Sequence, residues 1–243
     1  MIKNRLRNII LKYAAYYFND RASKVVFYHD LHLSEGVTKM STPLFRFEKH
    51  LSVFRTAGFN VVADIGKERG EVKIQFDDGF KGIYDCLPFL KEHNIPVELF
   101  IITNKIGEAG YLMERQVKEL AASGVVQVSC HTHTHPELGK CTDEEVRYEL
   151  KTSKAILEDI IQRPVSALCY PKGNFSNKVV SIAKELGFTA QYSSLPGSFS
   201  QEVFPEVYRR NLLQYASISE VKSVLKGAHQ VFYKKYWNQQ FVG

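Results

Sequence analysis

The sequence predicts an α/β fold in which seven or so mostly parallel strands close, or nearly close, into a barrel within a single domain. Three observations carry this. Apolar, strand-like runs alternate with segments whose apolar residues recur at helical spacing, the pattern of repeated β-then-α units. The chain has 243 residues and no internal linker, and α/β barrels commonly fill such a length as one unit. The competitor is an open, doubly wound sheet, and its nucleotide-binding form is disfavoured because neither GxGxxG nor GxxxxGK followed by Ser or Thr occurs.

The elements follow in order. Residues 24–31 (KVVFYHDL) read as a strand, and 43–58 as a helix with Leu44, Phe47, Leu51 and Phe54 on one face. Residues 60–65 form a short strand, and 72–76 (VKIQF) a strand running into Asp-Asp-Gly. Residues 81–93 are helical through Ile83, Leu87 and Leu90, and 96–103 (PVELFIIT) extended. A helix over 113–123 stops at Gly124, before the strand 125–130. Thr142 and Glu145 form a capping box for a long helix that turns Val146, Leu150, Leu157 and Ile160 inward. Strand 166–170, helix 177–186 closed by Gly187, and strand 188–193 follow, with a further strand at 210–214. Ser217 and Glu220 repeat the capping box and open the C-terminal helix.

Apolar residues are 44% and charged residues 24% of the chain, the balance of a globular domain. No run approaches the roughly 18 apolar residues of a membrane span. Lys12 interrupts what would be the core of an export signal, and no small-residue cleavage site follows, so a cytoplasmic location is expected. Cys86, Cys130, Cys141 and Cys169 show no CxxC pair and read as reduced thiols.

The net charge is +6, and +5 of it falls within the first 24 residues. Residues 1–23 therefore read as a basic amphipathic helix ahead of a barrel domain at 24–243. Ile2, Leu6, Ile9, Tyr13 and Tyr17 recur at helical spacing, with Arg5, Asn8 and Lys12 on another face. A short helix of this kind commonly packs on its own domain with a solvated basic face. The alternative is peripheral contact with anionic lipid, which would hold the protein at the inner face of the membrane. Beyond residue 24 the net charge is only +1, and no nucleic-acid partner is expected.

In a parallel barrel the reacting groups stand at the carboxyl ends of strands. Those ends read Phe27-Tyr28-His29-Asp30, Phe76-Asp77-Asp78-Gly79, Cys130-His131-Thr132-His133-Thr134-His135 and Cys169-Tyr170-Pro171. Carboxylates and imidazoles thus meet on one rim. His131 and His135 share a face if the chain makes a helical turn; if it stays extended, His133 joins them. Two imidazoles and one carboxylate form a common catalytic zinc set with a position left open. Of Asp77 and Asp78, one can ligate metal while the other acts as a general base towards water.

At these residues the sequence resembles the polysaccharide deacetylases of the NodB-homology type, carbohydrate esterase family 4. Phe76-Asp77-Asp78-Gly79 matches the first motif of that family, and His131-Thr132-His133-Thr134-His135 the second, His-Ser/Thr-x-x-His. The resemblance spans about residues 24–214. It implies a distorted (β/α) barrel, Asp77 as catalytic base, and a divalent metal on Asp78, His131 and His135. Zinc is the expected ion, and cobalt and nickel suit the same donors. Thr132 would support the loop, with His133 a bystander.

Tyr170-Pro171-Lys172-Gly173 and Tyr28-His29 look like the sub-group acting on poly-N-acetylglucosamine. By that likeness the Tyr170 amide would help hold the oxyanion, Arg209 would contact the site, and His29 would lie near the path of the proton donor. The arginine usual upstream of the third motif is missing, and so is the late Leu-His motif that supplies the general acid. The only late histidine, His229, reads as structural. The expected activity is metal-dependent removal of N-acetyl groups from amino sugars of a polysaccharide or glycan precursor. The alternatives are deacetylation or deformylation of a lipid-carrier-linked sugar, and an inactive barrel that binds glycan.

Overall fold

The computed structural model describes residues 2–243, with side chains for residue 7 and for 9–243. The expectations for Ile2, Arg5, Leu6 and Asn8 therefore fall on side chains outside the described residues. Helix α1 (Ile2–Phe18) opens the chain, followed by β1 (Lys24–Tyr28), the short strands β2 (Asp30–His32) and β3 (Ser41–Pro43), and α2 (Leu44–Thr56). Next come β4 (Asn60–Val61), β5 (Glu71–Phe76), α3 (Gly82–Asp85), α4 (Leu87–Glu92) and β6 (Val97–Ile101). Helix α5 (Glu114–Ala122), β7 (Val126–Cys130), α6 (Asp143–Ile161), β8 (Ala167–Cys169), α7 (Asn177–Glu185) and β9 (Ala190–Tyr192) continue the alternation. Strands β10 (Val207–Tyr208) and β11 (Asn211–Leu212) precede α8 (Ile218–Leu225) and α9 (Tyr233–Gln240).

The main sheet runs β10-β9-β8-β7-β6-β5-β1-β11, with β4 added beside β5, and its pairings are parallel. Its edge strands β10 and β11 are separated in sequence only by Arg209 and Arg210, a link too short to let them lie far apart. Among the described residues they form no ladder with each other. The fold is thus a strongly curled α/β sheet, a distorted half-barrel in one domain, and the predicted class holds with its seam left open.

Period-two alternation decides what faces the inside. Val72, Ile74 and Phe76 of β5 and Val97, Leu99 and Ile101 of β6 belong to the large apolar layer that the helices cover. The intervening Lys73, Gln75 and Glu98 face the barrel interior, where they are buried and joined to one another. The interior is therefore polar and ionic, with Val25, Phe100, Ala167, Cys169 and Tyr192 packed among the charges. Continuing the same phase past β5 and β7 carries Asp77 and His131 inward.

Three local predictions change. The single helix expected over 81–93 is broken at Cys86 into α3 and α4. The capping box of α6 forms in both directions, but that of α8 forms only in one. Ser217 accepts from the Glu220 amide, whereas the Glu220 carboxylate turns to Arg7 instead. The C-terminal helix is interrupted because Gly227 takes a left-handed φ of 83°, and a short 3-10 turn through His229 leads into α9.

Helix α1 does pack on its own domain, but with the opposite face from the one expected. Leu11, Ala14 and Ala15 are buried against Ala228 and Phe232, while Ile9, Tyr13 and Tyr17 point outward. The small residues allow close approach to the C-terminal segment, and the bulky ones are left outside.

Candidate metal centre and active site

Asp77 follows β5 with its amide donating to the Tyr28 carbonyl at 3.0 Å. Its carboxylate is buried and bound by both guanidinium arms of Arg210, Nη1 to Oδ1 at 2.7 Å and Nη2 to Oδ2 at 2.8 Å. Arg210 is itself fully enclosed, its guanidinium carbon 4.2 Å from the centre of the Phe27 ring. Its Nε donates to the Ser193 carbonyl and Nη1 also to Gln75 Oε1. Burial alone would raise the Asp77 carboxyl, but the charge and hydrogen bonds of Arg210 outweigh it and hold it at about 2.

Asp78, one residue on, takes a left-handed φ of 76° that turns its side chain away from that of Asp77. Thr132 and His135 are left-handed too, at 68° and 67°. Such a backbone is costly for a β-branched threonine, so three unfavourable conformations are concentrated around one point. The loop is held there by Glu149 of α6, which accepts from the amides of His133 and Thr134 at 2.8 and 2.7 Å. Thr132 Oγ1 accepts from the His135 amide at 3.0 Å, the supporting role expected of it.

This backbone brings Asp78 Oδ1 to 3.4 Å from His131 Nε2 and 3.6 Å from His135 Nε2. Ligands at about 2.0–2.1 Å from one tetrahedral zinc would stand about 3.4 Å from each other, so the spacing fits a shared ion. His131 Nδ1 donates to the Cys169 carbonyl at 2.8 Å, which leaves the Nε2 lone pair on the side of Asp78, open to a metal. Burial and the neighbouring His131 push His135 down to about 4, whereas Cys169, Asp78 and Asp77 raise His131 despite its burial, and ligation takes the neutral form of both rings. Asp77, His131 and Cys169 also lie close enough to suggest a ligand set. There, however, the Arg210 cation already occupies the carboxylate and the Cys169 carbonyl uses Nδ1. The donors that fit a divalent metal are Asp78, His131 and His135.

A cavity of about 420 Å³ opens over these groups and is lined also by His29, Arg210 and Lys172. His29 Nδ1 donates to Gln214 Oε1 at 2.5 Å. His133 points elsewhere, its Nδ1 bonded to Thr103 Oγ1 at 2.9 Å. His229 lines the same cavity, although it is buried and its Nε2 lies 3.5 Å from Arg7 Nη2.

Two sequence expectations are corrected. The Tyr170 amide is not free for an oxyanion, because it donates to the Tyr192 carbonyl at 3.0 Å in the sheet. Arg209 does not reach the centre; its guanidinium packs over the Tyr233 ring at 4.1 Å. Neighbouring residues of an extended link point to opposite sides, and it is Arg210 that turns inward. Sequence reasoning also missed Glu149. No local signal distinguishes it from the other acids of α6.

Carboxylates and imidazoles at the C-terminal rim of a curled parallel sheet form a donor set suited to a divalent metal, and the comparisons name the family. The polysaccharide deacetylase family model matches residues 65–191, more than half of the chain. The chain belongs to that family, the NodB-homology or family 4 carbohydrate esterases.

YxkH of Bacillus subtilis (strain 168) is 26% identical over 189 residues, 73% of this chain and 66% of the relative. The poly-beta-1,6-N-acetyl-D-glucosamine N-deacetylase of Staphylococcus epidermidis is 27% identical over 168 residues, 60% of this chain and 58% of the relative. The chain thus spans under two-thirds of the length of these curated relatives. Among solved structures, IcaB from Ammonifex degensii superposes with a TM-score of 0.75 at 20% identity, covering 86% of this chain and 99% of that one. At that identity the match concerns the fold.

Proposed function

We propose that this chain is a metal-dependent amide hydrolase that removes N-acetyl groups from amino sugars of a polysaccharide or glycan precursor. The observation that carries the reading is the pairing of an Asp78–His131–His135 donor set with a separate carboxylate, Asp77, fixed by Arg210. The S. epidermidis relative is named for deacetylating poly-β-1,6-N-acetylglucosamine, which supports an N-acetylated glycan as the substrate class.

Asp78, His131 and His135 would hold the metal, zinc or another ion suited to two imidazoles and a carboxylate. Once bound, such an ion polarises the acetyl carbonyl and eases ionisation of water. Asp77 is ionised at neutral pH and accepts the proton of the attacking water. Arg210 fixes the direction of its lone pairs and keeps it charged despite burial. The C–N bond breaks as the amine leaves with a proton, and His29 is the donor we assign to it. His29 shares the cavity and is held by Gln214, whereas Nε2 of His229 is directed at Arg7 and Glu220. Arg210 also answers the missing arginine of the third motif, because a cation from the link between β10 and β11 sits on the base. That removes one of the two motif gaps favouring an inactive glycan binder.

The test is acetate release from poly-N-acetylglucosamine oligomers, with and without chelator. The reading expects release that chelator abolishes and metal restores, and that Asp77→Asn lowers by at least about 10²-fold. Release by Asp77→Asn at the parental rate would contradict it.

A further inference from the structure

The outward face of α1 is built the wrong way round for a helix that meets only water and its own domain. Its buried side is Leu11, Ala14 and Ala15. Its outward side carries Ile9, Tyr13, Tyr16 and Tyr17, with the three tyrosines 75%, 89% and 83% exposed. At 100° per residue these fall within one sector of the helix, with Lys12 at its border. No acidic residue occurs in Ile2–Phe18.

The surroundings are cationic. Just beyond the C-terminal end of α1, a cavity of about 530 Å³ is lined by Arg21, Lys222 and Lys226 over Val53, Phe59 and Leu225. Lys222 and Lys226 are exposed, and the one acid in that lining, Asp20, is already paired with Lys24. Tyrosine rings are amphipathic bodies suited to the headgroup layer, and cations beside them suit anionic lipid.

We infer that α1 docks the protein on an anionic phospholipid bilayer, with Ile9, Tyr13, Tyr16 and Tyr17 entering the headgroup region and Lys12, Arg21, Lys222 and Lys226 facing its charge. Charge complementarity selects this occupant over a neutral apolar partner. Arg7, on the same helix, lines the catalytic cavity and pairs with Glu220, so the docked helix is also a wall of the site. Binding to lipid does not depend on the activity proposed above and is read separately from it.

The test is cosedimentation of the full chain with vesicles of phosphatidylcholine alone and of phosphatidylcholine with phosphatidylglycerol. The parent is expected to partition onto the anionic vesicles, less at high salt, and little onto the neutral ones. Tyr13→Ser/Tyr16→Ser/Tyr17→Ser should lower that partition about tenfold or more, and Lys12→Glu should lower it on anionic vesicles. Circular dichroism of both variants should match the parent, because the changed side chains are exposed. No binding by the parent, or equal binding by the triple variant, would overturn the inference. So would a parental dimer that the triple variant converts to monomer, since a second copy would then cover the face.

Discussion

Arg210 grips Asp77 with both arms, at 2.7 and 2.8 Å, inside a barrel that admits almost no solvent to either side chain. A buried ion pair contributes little over an apolar pair, but breaking it leaves a charge without a partner. Arg210→Met should therefore destabilise the protein by about 3–5 kcal/mol at neutral pH. Asp77→Asn added to it should restore most of that loss. Urea unfolding of the two single variants and the double reads both, and additive effects would contradict the coupling.

The same pair sets an acid limit. Its Asp77 carboxyl lies at about 2 against an ordinary 3.8, so the pair's stabilising effect is complete above the ordinary value. It is lost as pH falls through about 2. Asp77→Asn should remove this dependence, which acid unfolding of parent and variant compares.

Asp30 should behave in the opposite sense. Its carboxyl is fully buried, and burial pushes it up to about 6 against the opposing pull of Ser41 and the Leu31 and Ile83 backbone. The folded state thus holds this proton more tightly than the unfolded state, and stability falls as pH rises from about 4 to 6. Asp30→Asn should be more stable than the parent by about 2–3 kcal/mol at pH 8 and little different at pH 4. A difference independent of pH in that range would contradict this.

Gly82 is fixed by space rather than by its own conformation. A Cβ there would stand 1.9 Å from the Leu31 carbonyl oxygen and 2.5 Å from Asp30 Oδ1. Gly82→Ala should cost about 3 kcal/mol or more, seen as a lowered Tm. An unchanged Tm would mean that the β2–α3 contact is looser than described.

The two cavity histidines separate by activity. His29→Gln should lower kcat by about 10²-fold or more with stability nearly unchanged, as expected for a proton donor. His229→Gln should act first on Tm, because it loosens the contact with Glu220 and Arg7. The reverse pattern would move the donor to His229.

Much of this was legible in the sequence because strand ends carry their chemistry in short runs. VKIQF read as a strand running into Asp-Asp-Gly, and the two motifs named Asp77, Asp78, His131 and His135, the four residues that the fold brings together. Three things were not legible. Which of Arg209 and Arg210 turns inward depends on two residues spanning an open barrel seam. The Tyr170 amide was lost to a partner, Tyr192, more than twenty residues away. The outward face of α1 was decided by the small residues Ala14 and Ala15, which pack closely where an apolar stripe predicts bulky side chains.

Asp78, His131 and His135 are proposed to hold one divalent ion. Elemental analysis after chelator stripping and zinc titration tests it most directly. About one zinc per parent chain is expected, little in His131→Ala and His135→Ala, and a full complement in His133→Ala. Equal zinc in parent and His131→Ala, or loss of zinc in His133→Ala alone, would contradict it.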